Sequence, residues 1–231
     1  MRKDVLDKGY VRLVDYMGSD LSIVNAARVS LAKESSQLEE KDERLIRYLA
    51  RHGHTSPFRH AFITLEIKAP LMVARQWWKY VVGSDHTMDA WNEVSRRYVT
   101  MEPEFYVPGN DQWRESVKNV KQGSGGPLDV DTGSHLTDDL IGLVKRALRL
   151  YDKAIKLGVC PEQARLFLPA YSMYTVWRWS ASLQSVCHFL RQRLAHDAQY
   201  EIREYAMAVY DIVKPLYPVS VDALLGMEEQ I

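Results

Sequence analysis

The sequence predicts an α+β fold in which helices flank a small, mostly antiparallel sheet. Several long segments carry apolar residues three or four positions apart, which is the spacing of an amphipathic helix. One segment alternates apolar and polar residues, and another is rich in aromatic and β-branched residues; both patterns are typical of strands. A chain of 231 residues with 46% hydrophobic side chains fits one or two domains and can bury a core, and we expect a single domain over residues 1–231.

The first half of the chain alternates between the two kinds of element. Short apolar runs favour a strand over residues 4–15. Helical spacing predicts helices over 20–31 and 39–52, and a glycine after the second suits a helix end. Residues 61–68 alternate strictly and predict a strand with one wet face. A proline then opens a helix over 71–80, since proline suits a first turn.

The second half begins with a break rich in Gly and Asp over residues 109–134, which predicts a surface loop. Thr137 then caps a helix that runs to Leu157, and a proline opens a short helix over 161–168. Aromatic and β-branched residues predict a strand over 171–179. Helical spacing resumes over 180–214, with a bend near the middle of that segment.

Charge and composition exclude several classes of protein. Lys plus Arg and Asp plus Glu each number 30, so the formal net charge is zero. A disordered chain would be less apolar and more charged, and a phosphate-binding nucleic-acid protein would usually be basic. A surplus of 13 Tyr and 6 Trp leaves base stacking on RNA or single strands as an alternative. No apolar run approaches the roughly 18 residues of a membrane span, and no signal peptide is visible, so we expect a cytoplasmic protein.

Several familiar site motifs are missing from the sequence. His52, His54 and His60 lie close together, but no His or Cys pair has the spacing of zinc ligands, so we expect no metal. The run Gly123–Gly126 lacks the Gly-Lys-Ser/Thr ending of a phosphate-binding loop, and no serine nucleophile elbow is present. The two cysteines make no disulfide framework and are expected to be reduced thiols.

Arginines are the most informative charged residues. Seven lie in aromatic-rich or helical segments that should be partly buried: Arg75, Arg96, Arg97, Arg165, Arg178, Arg191 and Arg193. A buried guanidinium needs an anionic partner, and its planar fork fits carboxylate or phosphate. Structural partners within the chain are one alternative: Glu93, Glu162, Asp197 and Glu201. The neighbouring tryptophans favour the other alternative, a phosphorylated planar ligand.

One segment combines these groups and matches a known family. Asn92-Glu93-Val94-Ser95-Arg96-Arg97-Tyr98 places a carboxylate, a hydroxyl and two guanidiniums where they suit the phosphate and sugar of a nucleotide. The chain resembles the flavin-dependent thymidylate synthases, whose signature ends in Asn-Glu-x-Ser-x-Arg-Tyr. Further runs follow the order of that family: Ala26-Ala27-Arg28-Val29-Ser30, His52-Gly53-His54-Thr55-Ser56-Pro57-Phe58, Ala164-Arg165-Leu166-Phe167-Leu168-Pro169 and Phe189-Leu190-Arg191-Gln192-Arg193.

The chain departs from the family at the start of the signature. Where the family has Arg-His-Arg, this chain has Lys79-Tyr80-Val81, followed by an insertion over 82–91. In the family the triplet contacts flavin and nucleotide. Lys79 keeps a positive charge toward phosphate without the bidentate fork, and Tyr80 offers stacking or a hydrogen bond. The other candidates to replace the lost cations are His86 and Arg96.

The resemblance implies a reaction, the reductive methylation of dUMP to dTMP. It implies methylenetetrahydrofolate as the methylene donor, FAD as the hydride donor, NADPH as the reductant of the flavin, and no enzyme nucleophile. It also implies a homotetramer with flavin sites assembled from several subunits. Two alternatives stay open: a nucleotide-binding relic without methylation activity, and an NADPH oxidase-type flavoprotein.

The resemblance also assigns roles to individual residues. Arg193 matches the arginine that activates the uracil ring by stabilising charge near its carbonyl and N3. The other implied dUMP contacts are Gln76, Lys79, Glu93, Ser95, Arg96, Arg97 and Arg165, with Arg97 on the phosphate. The implied FAD contacts are Ser56, Lys79, Tyr80, Glu93, Ser182, Gln184 and His188.

Overall fold

The centre of the fold is an antiparallel sheet. A computed structural model describes residues 1–83, 89–94, 102–117 and 123–227. Within these ranges the strand order is β1-β2-β3-β5-β4, and every neighbouring pair is antiparallel. The strands are β1 Arg2–Val5, β2 Gly9–Met17, β3 Phe62–Pro70, β4 Ala90–Glu93 and β5 Tyr174–Ser182.

Helices surround the sheet in the described part of the chain. They are α1 Asp20–Arg28, α2 Glu40–Arg51, α3 Leu71–Gly83, α4 Val130–Lys156, α5 Pro161–Ala164, α6 Leu183–Arg193, α7 Tyr200–Val213 and α8 Pro218–Leu225. Short 3₁₀ turns follow α1, precede β3 and follow α5. The predicted α+β class with an antiparallel sheet is therefore confirmed. No helix within the described ranges is long and apolar enough to cross a membrane.

The alternation predicted for residues 61–68 appears in β3. Ile63, Leu65 and Ile67 are buried, whereas the residues between them are half exposed. Leu65 pairs with Trp179 and Ile67 with Trp177 on β5, so the buried face combines branched aliphatic and aromatic side chains. This face forms the core against which the helices pack.

An aromatic cluster fixes α3 and α6 beside each other. Trp77 of α3 is fully buried and stacks on Phe189 of α6, with ring centroids 4.2 Å apart. Its ring also meets Trp177 and Trp179 edge-on at 5.5 and 5.6 Å. Such aromatic pairs add stability beyond their buried area. Packing on Trp77 therefore sets where the exposed side chains of α3 lie relative to the end of α6.

The structure differs from the prediction at the N-terminal strand and at the start of α4. The strand expected over 4–15 is a hairpin of β1 and β2. Helix α4 begins at Val130, because Asp129 accepts a hydrogen bond from the Thr132 amide at 2.9 Å and caps it there. Thr137 instead lies inside α4, and its hydroxyl donates to the carbonyl of Pro108 at 3.0 Å. The surface loop expected over 109–134 therefore ends earlier than predicted.

The C-terminal segment differs as well. The helix expected over 180–214 begins as the end of β5, and a break at 194–199 separates α6 from α7. Helix α8 was not predicted. Its N-terminus is capped from the far end of the chain by Asp20, which is 4% exposed and accepts from the Val219 and Ser220 amides at 2.9 and 3.0 Å.

Candidate active site

A cleft opens where α3, the end of α6 and the break before α7 meet. Its volume is about 350 Å³, at the small end of the range for ligand pockets. It is lined by Gln76, Gly123, Ser124, Arg193, Asp197 and Gln199. Two of the predicted site residues, Gln76 on α3 and Arg193 at the last position of α6, are thus brought together by the fold.

The loop before α4 forms one wall of this cleft. Gly123 has a φ of +94°, and a Cβ at this position would lie 3.2 Å from the backbone oxygen of Asp197. Glycine therefore permits both the backbone conformation and the close approach of the loop to the 194–199 break. Gly123 and Ser124, from the segment predicted to be a surface loop, therefore line this cleft.

Tyr80 holds the guanidinium of Arg193. Arg193 Nη2 donates a hydrogen bond to the Tyr80 hydroxyl, and the guanidinium carbon lies 4.5 Å from the centroid of the Tyr80 ring. The hydrogen bond and the cation–π contact together restrict the plane of the guanidinium. Arg193 Nε is buried and has no hydrogen-bond partner among the described residues. Arg193 is therefore held in one orientation by Tyr80.

Tyr80 also meets the exposed face of α6. Its ring lies 6.2 Å from the ring of His188, which is exposed. Gln184 lies one turn before His188 on the same helix face, and its Oε1 is buried without a partner among the described residues. Tyr80, Gln184 and His188 therefore form a second group of predicted residues that the fold brings together, directly beside Arg193.

Two other predicted flavin contacts have different surroundings. Ser182 is 2% exposed, and its hydroxyl accepts from the Ser185 amide at 3.2 Å as the N-cap of α6. Its side chain caps α6 and is buried, and its predicted contact with the cofactor stays a prediction. Ser56 is exposed in the 3₁₀ turn Ser56–His60, which packs against α6.

Glu93 lies on a different groove, of about 230 Å³. The groove is lined by Leu71, Ala74, Arg75, Trp78, Trp91 and Glu93. Thr175 on β5 donates to Glu93 at 2.7 Å, and the rings of Trp78 and Trp91 meet edge-on at 5.2 Å. Within one chain, Glu93 is therefore not a lining residue of the cleft that holds Gln76 and Arg193.

The remaining predicted contacts lie at the surface or outside the described ranges. Arg165 is exposed on the turn after α5, where its Nε donates to the carbonyl of Glu162 at 3.1 Å. Lys79 is exposed on α3 next to Tyr80. The predictions for His86, Ser95, Arg96 and Arg97 concern residues that lie outside the described ranges.

The expected burial is wrong for four of the five candidate arginines that the structure describes. Arg193 is half buried, but four others are exposed: Arg75, Arg165, Arg178 and Arg191. Arg178 pairs with Glu66 across the sheet at 3.4 Å rather than with an acid near it in sequence. Aromatic neighbours in the sequence do not indicate whether an arginine lies on the buried or the exposed face of its strand or helix.

The sequence did not indicate four of the lining residues, which are Gly123, Ser124, Asp197 and Gln199. The sequence suggests Asp197 only as a structural partner for arginine. The bend predicted in the middle of 180–214 was the available signal, because polar residues at a helix break can face a cleft. Nothing local in the sequence indicates that Gly123 and Ser124 approach that break.

Both cysteines are free thiols, and neither lines the cleft that holds Arg193. Cys187 is buried, and burial raises the pKa of its thiol to about 12, so the reactive thiolate is scarce at neutral pH. Cys160 is exposed and precedes Pro161 at the start of α5. Within the described ranges, no group of three or more His, Cys, Asp or Glu side chains is placed to hold a metal ion.

Comparison with known proteins decides the family. A family model described as Thy1, thymidylate synthase complementing protein, matches residues 12–219. A flavin-dependent thymidylate synthase of Wolbachia pipientis wMel is 42% identical over 96% of this chain and 75% of its own length. The chain belongs to the flavin-dependent thymidylate synthase family. A second relative in this family, from Thermosipho africanus, is 38% identical over 97% of this chain and 94% of its own length.

Solved structures agree with this assignment to the flavin-dependent thymidylate synthase family. A UMP/dUMP methylase, PolB from Streptomyces cacaoi, bound with 5-Br dUMP, superposes with a TM-score of 0.82 at 29% identity, covering 97% of each chain. The same protein bound with 5-Br UMP superposes with a TM-score of 0.80 at 28% identity, covering 96% of each chain. The predicted resemblance is therefore confirmed.

Proposed function

We propose that the chain converts dUMP to dTMP by reductive methylation, with methylenetetrahydrofolate as the methylene donor and FAD reduced by NADPH. The observation that carries this proposal is the cleft in which Arg193, oriented by Tyr80, lies beside Gln76. Support comes from the family, since relatives at 38–42% identity over nearly the whole chain are named flavin-dependent thymidylate synthases. The cleft is small, which suits a mononucleotide better than a polymer.

Arg193 has the properties needed to activate a uracil ring without a covalent bond to the enzyme. Charge that develops on the ring's carbonyl and N3 region is stabilised most by donors oriented in advance, because they need no reorganisation during the reaction. Tyr80 supplies that orientation through its hydrogen bond and ring contact with the guanidinium. In our proposal this cation does the work that a cysteine nucleophile would otherwise do.

The group of Tyr80, Gln184 and His188 offers a place for a flavin. The two rings present an aromatic edge suited to a planar ligand, and Gln184 and His188 can hydrogen-bond to ring heteroatoms. Reduced FAD, when bound, supplies the hydride that completes the methyl group. Tyr80 contacts both Arg193 and His188, so we infer that it stands between the nucleotide and the flavin.

We propose that other subunits complete the site in a homotetramer. Arg165 and Glu93 do not line the cleft of their own chain, although the family resemblance places both on dUMP. Arg165 is followed by exposed apolar side chains, of which Leu166 is 83% exposed, and Leu157 at the end of α4 is 73% exposed. Apolar exposure of this kind marks association surfaces. Sedimentation equilibrium tests the assembly, and a monomer at micromolar concentration would contradict it.

The experiment that tests the proposed function is a flavin titration combined with a turnover assay. Purified protein should bind added FAD with a change in its visible absorption spectrum, and dTMP should form only when FAD, NADPH, methylenetetrahydrofolate and dUMP are all present. NADPH consumption that ignores dUMP would favour the oxidase-type flavoprotein. Binding of dUMP without any turnover would favour the nucleotide-binding relic.

A second substrate has a specific observation behind it. The PolB structures carry 5-Br UMP and 5-Br dUMP, and that protein is described as a UMP/dUMP methylase. The same assay with UMP in place of dUMP therefore tests methylation of the ribonucleotide. We expect dUMP to be preferred, since the relatives at higher identity are named thymidylate synthases.

Tyr80→Phe should lower kcat by roughly 10- to 100-fold, since a hydrogen bond to a charged group contributes about 1.5–3 kcal/mol and each 1.4 kcal/mol is tenfold. The ring and its cation–π contact with Arg193 remain in this variant, so only the orientation by the hydroxyl is lost. Steady-state kinetics against dUMP give the result. Tyr80→Leu, which removes the ring as well, should lose more activity, and equal activity of both variants and the unmutated chain would contradict the role.

Replacement of both cysteines should leave turnover within about twofold of the unmutated chain. The reason is that neither is proposed to add to the uracil, and the raised pKa of Cys187 keeps its thiol protonated at neutral pH. The variant is Cys160→Ser with Cys187→Ala, compared by dTMP formation and by thermal unfolding. Loss of turnover with an unchanged unfolding temperature would show that a thiol is required.

A further inference from the structure

A directed chain of hydrogen bonds leads from α7 into the cleft. We call Glu201, Gln199 and Gln76 the amide relay. Gln199 Nε2 donates to Glu201 Oε2 at 2.7 Å, and Gln76 Nε2 donates to Gln199 Oε1. The same Gln199 nitrogen also donates to the Met72 sulfur at 3.8 Å. All three relay residues are half buried.

The relay can run in one direction only. A carboxylate has acceptors and no donor, so the amide that faces Glu201 must present its nitrogen. Both hydrogens of the Gln199 amide are then used, on Glu201 and Met72, and its oxygen is left for Gln76. Gln76 must therefore donate to Gln199. A rotation of the Gln199 amide by 180° would place its carbonyl oxygen against the carboxylate and break both contacts.

This direction determines what Gln76 offers to a ligand. One hydrogen of its amide is used by Gln199, which leaves the carbonyl oxygen and one N–H. An unrestrained glutamine can exchange its donor and acceptor by rotating the terminal amide. The relay prevents that exchange, so Gln76 presents a fixed acceptor and donor in the cleft that it shares with Arg193.

We propose that the amide relay selects uracil over cytosine, with Glu201 and Gln199 as positioning residues for Gln76. This rests on the proposed function. Uracil offers an N3–H donor next to carbonyl acceptors. The N3–H can donate to the carbonyl oxygen of Gln76, and the neighbouring uracil carbonyl can accept from the remaining N–H of Gln76. Cytosine offers an N3 acceptor next to an N4 donor, which is the reverse order. Arg193 has donors only, and both bases carry a C2 carbonyl that can accept from it, so we assign the discrimination to Gln76.

Glu201→Gln tests the proposal by replacing one carboxylate oxygen with an amide nitrogen. A glutamine at 201 can donate as well as accept, so the relay can reverse and Gln76 can turn its amino group to the ligand. We expect dUMP to bind several-fold more weakly and the preference for dUMP over dCMP to fall by about 10-fold, the order expected for one mismatched hydrogen bond. Dissociation constants for both nucleotides, measured by calorimetry, give the preference directly.

Matched variants separate this role from a structural one. Glu204→Gln makes the same chemical change one turn further along α7 and should leave both dissociation constants unchanged. Gln199→Met removes the relay without a charge change and should reduce the preference as Glu201→Gln does. Thermal unfolding of each variant shows whether the fold is kept.

Each outcome bears on a different statement. A preference for dUMP that is unchanged in Glu201→Gln and Gln199→Met overturns the relay. Equal weakening of dUMP and dCMP also overturns it, because a general loss of binding is what a structural role predicts. Failure of the unmutated chain to bind dUMP would overturn the proposed function itself, and the relay with it.

Discussion

Arg193→Ala is expected to lower kcat for dTMP formation by about 10²–10³-fold, the cost typical of removing one oriented donor that stabilises developing charge. The size follows from the position of Arg193, whose guanidinium is held by Tyr80 and whose Nε is buried without a partner among the described residues. The alanine variant keeps the helix, because Arg193 is the last residue of α6 and contributes little to its core. Single-turnover and steady-state assays measure the loss.

Two controls make the Arg193 result specific. Gln192→Ala changes an exposed neighbour on α6 and should leave kcat unchanged. Arg193→Lys keeps a charge without the fork, so it should recover only part of the rate. Turnover in Arg193→Ala at the rate of the unmutated chain would remove this residue from the mechanism. A loss that appears only in KM would assign it to binding instead of activation.

Asp42→Ala should lower the free energy of unfolding by about 3–5 kcal/mol, the typical cost of leaving one partner of a buried ion pair without the other. Asp42 is fully buried on α2 and forms an ion pair with Arg28 of α1. It also accepts from the Glu39 amide at 3.1 Å, which helps to start α2. Equilibrium unfolding in urea, followed by tryptophan fluorescence, measures the change.

A double variant tests the reason for that loss. Arg28→Met combined with Asp42→Leu replaces the ion pair with apolar groups of similar size, so no charge is left buried. The double variant should be more stable than Asp42→Ala, because most of the penalty comes from the unpaired charge. Equal stability of the two would mean that packing and the α2 cap, and not the ion pair, account for the effect.

The sequence predicts the elements that bury one face and misses those defined by distant contacts. The alternation in β3 and the helical spacing in α2 and α3 can be read from each segment's own residues, because each segment buries one face in the core. Helix α8 depends on Asp20, about two hundred positions earlier, and β4 depends on pairing with β5. Neither partner is visible in the local pattern. Asp129 was missed as the cap of α4 because the first turns of that helix are largely exposed.

Some residues of the candidate site are predicted from sequence motifs, and others are identified only by their contacts in the fold. The family resemblance predicts Gln76 and Arg193 from motifs, and the fold brings both to one cleft. It does not predict that Tyr80, which stands in the place of a family histidine, holds the guanidinium of Arg193. Gln199 belongs to no motif, and its place in the proposed amide relay rests on its contacts with Gln76 and Glu201.

The most direct test of the central claim is the folate product of the complete reaction. If the two electrons for the methyl group come from NADPH and not from the folate, the folate must leave as tetrahydrofolate. We predict one tetrahydrofolate for each dTMP, with dihydrofolate absent and product formation dependent on added FAD. Dihydrofolate formed in equal amount to dTMP, or dTMP formed at full rate without FAD, would contradict the proposed reaction.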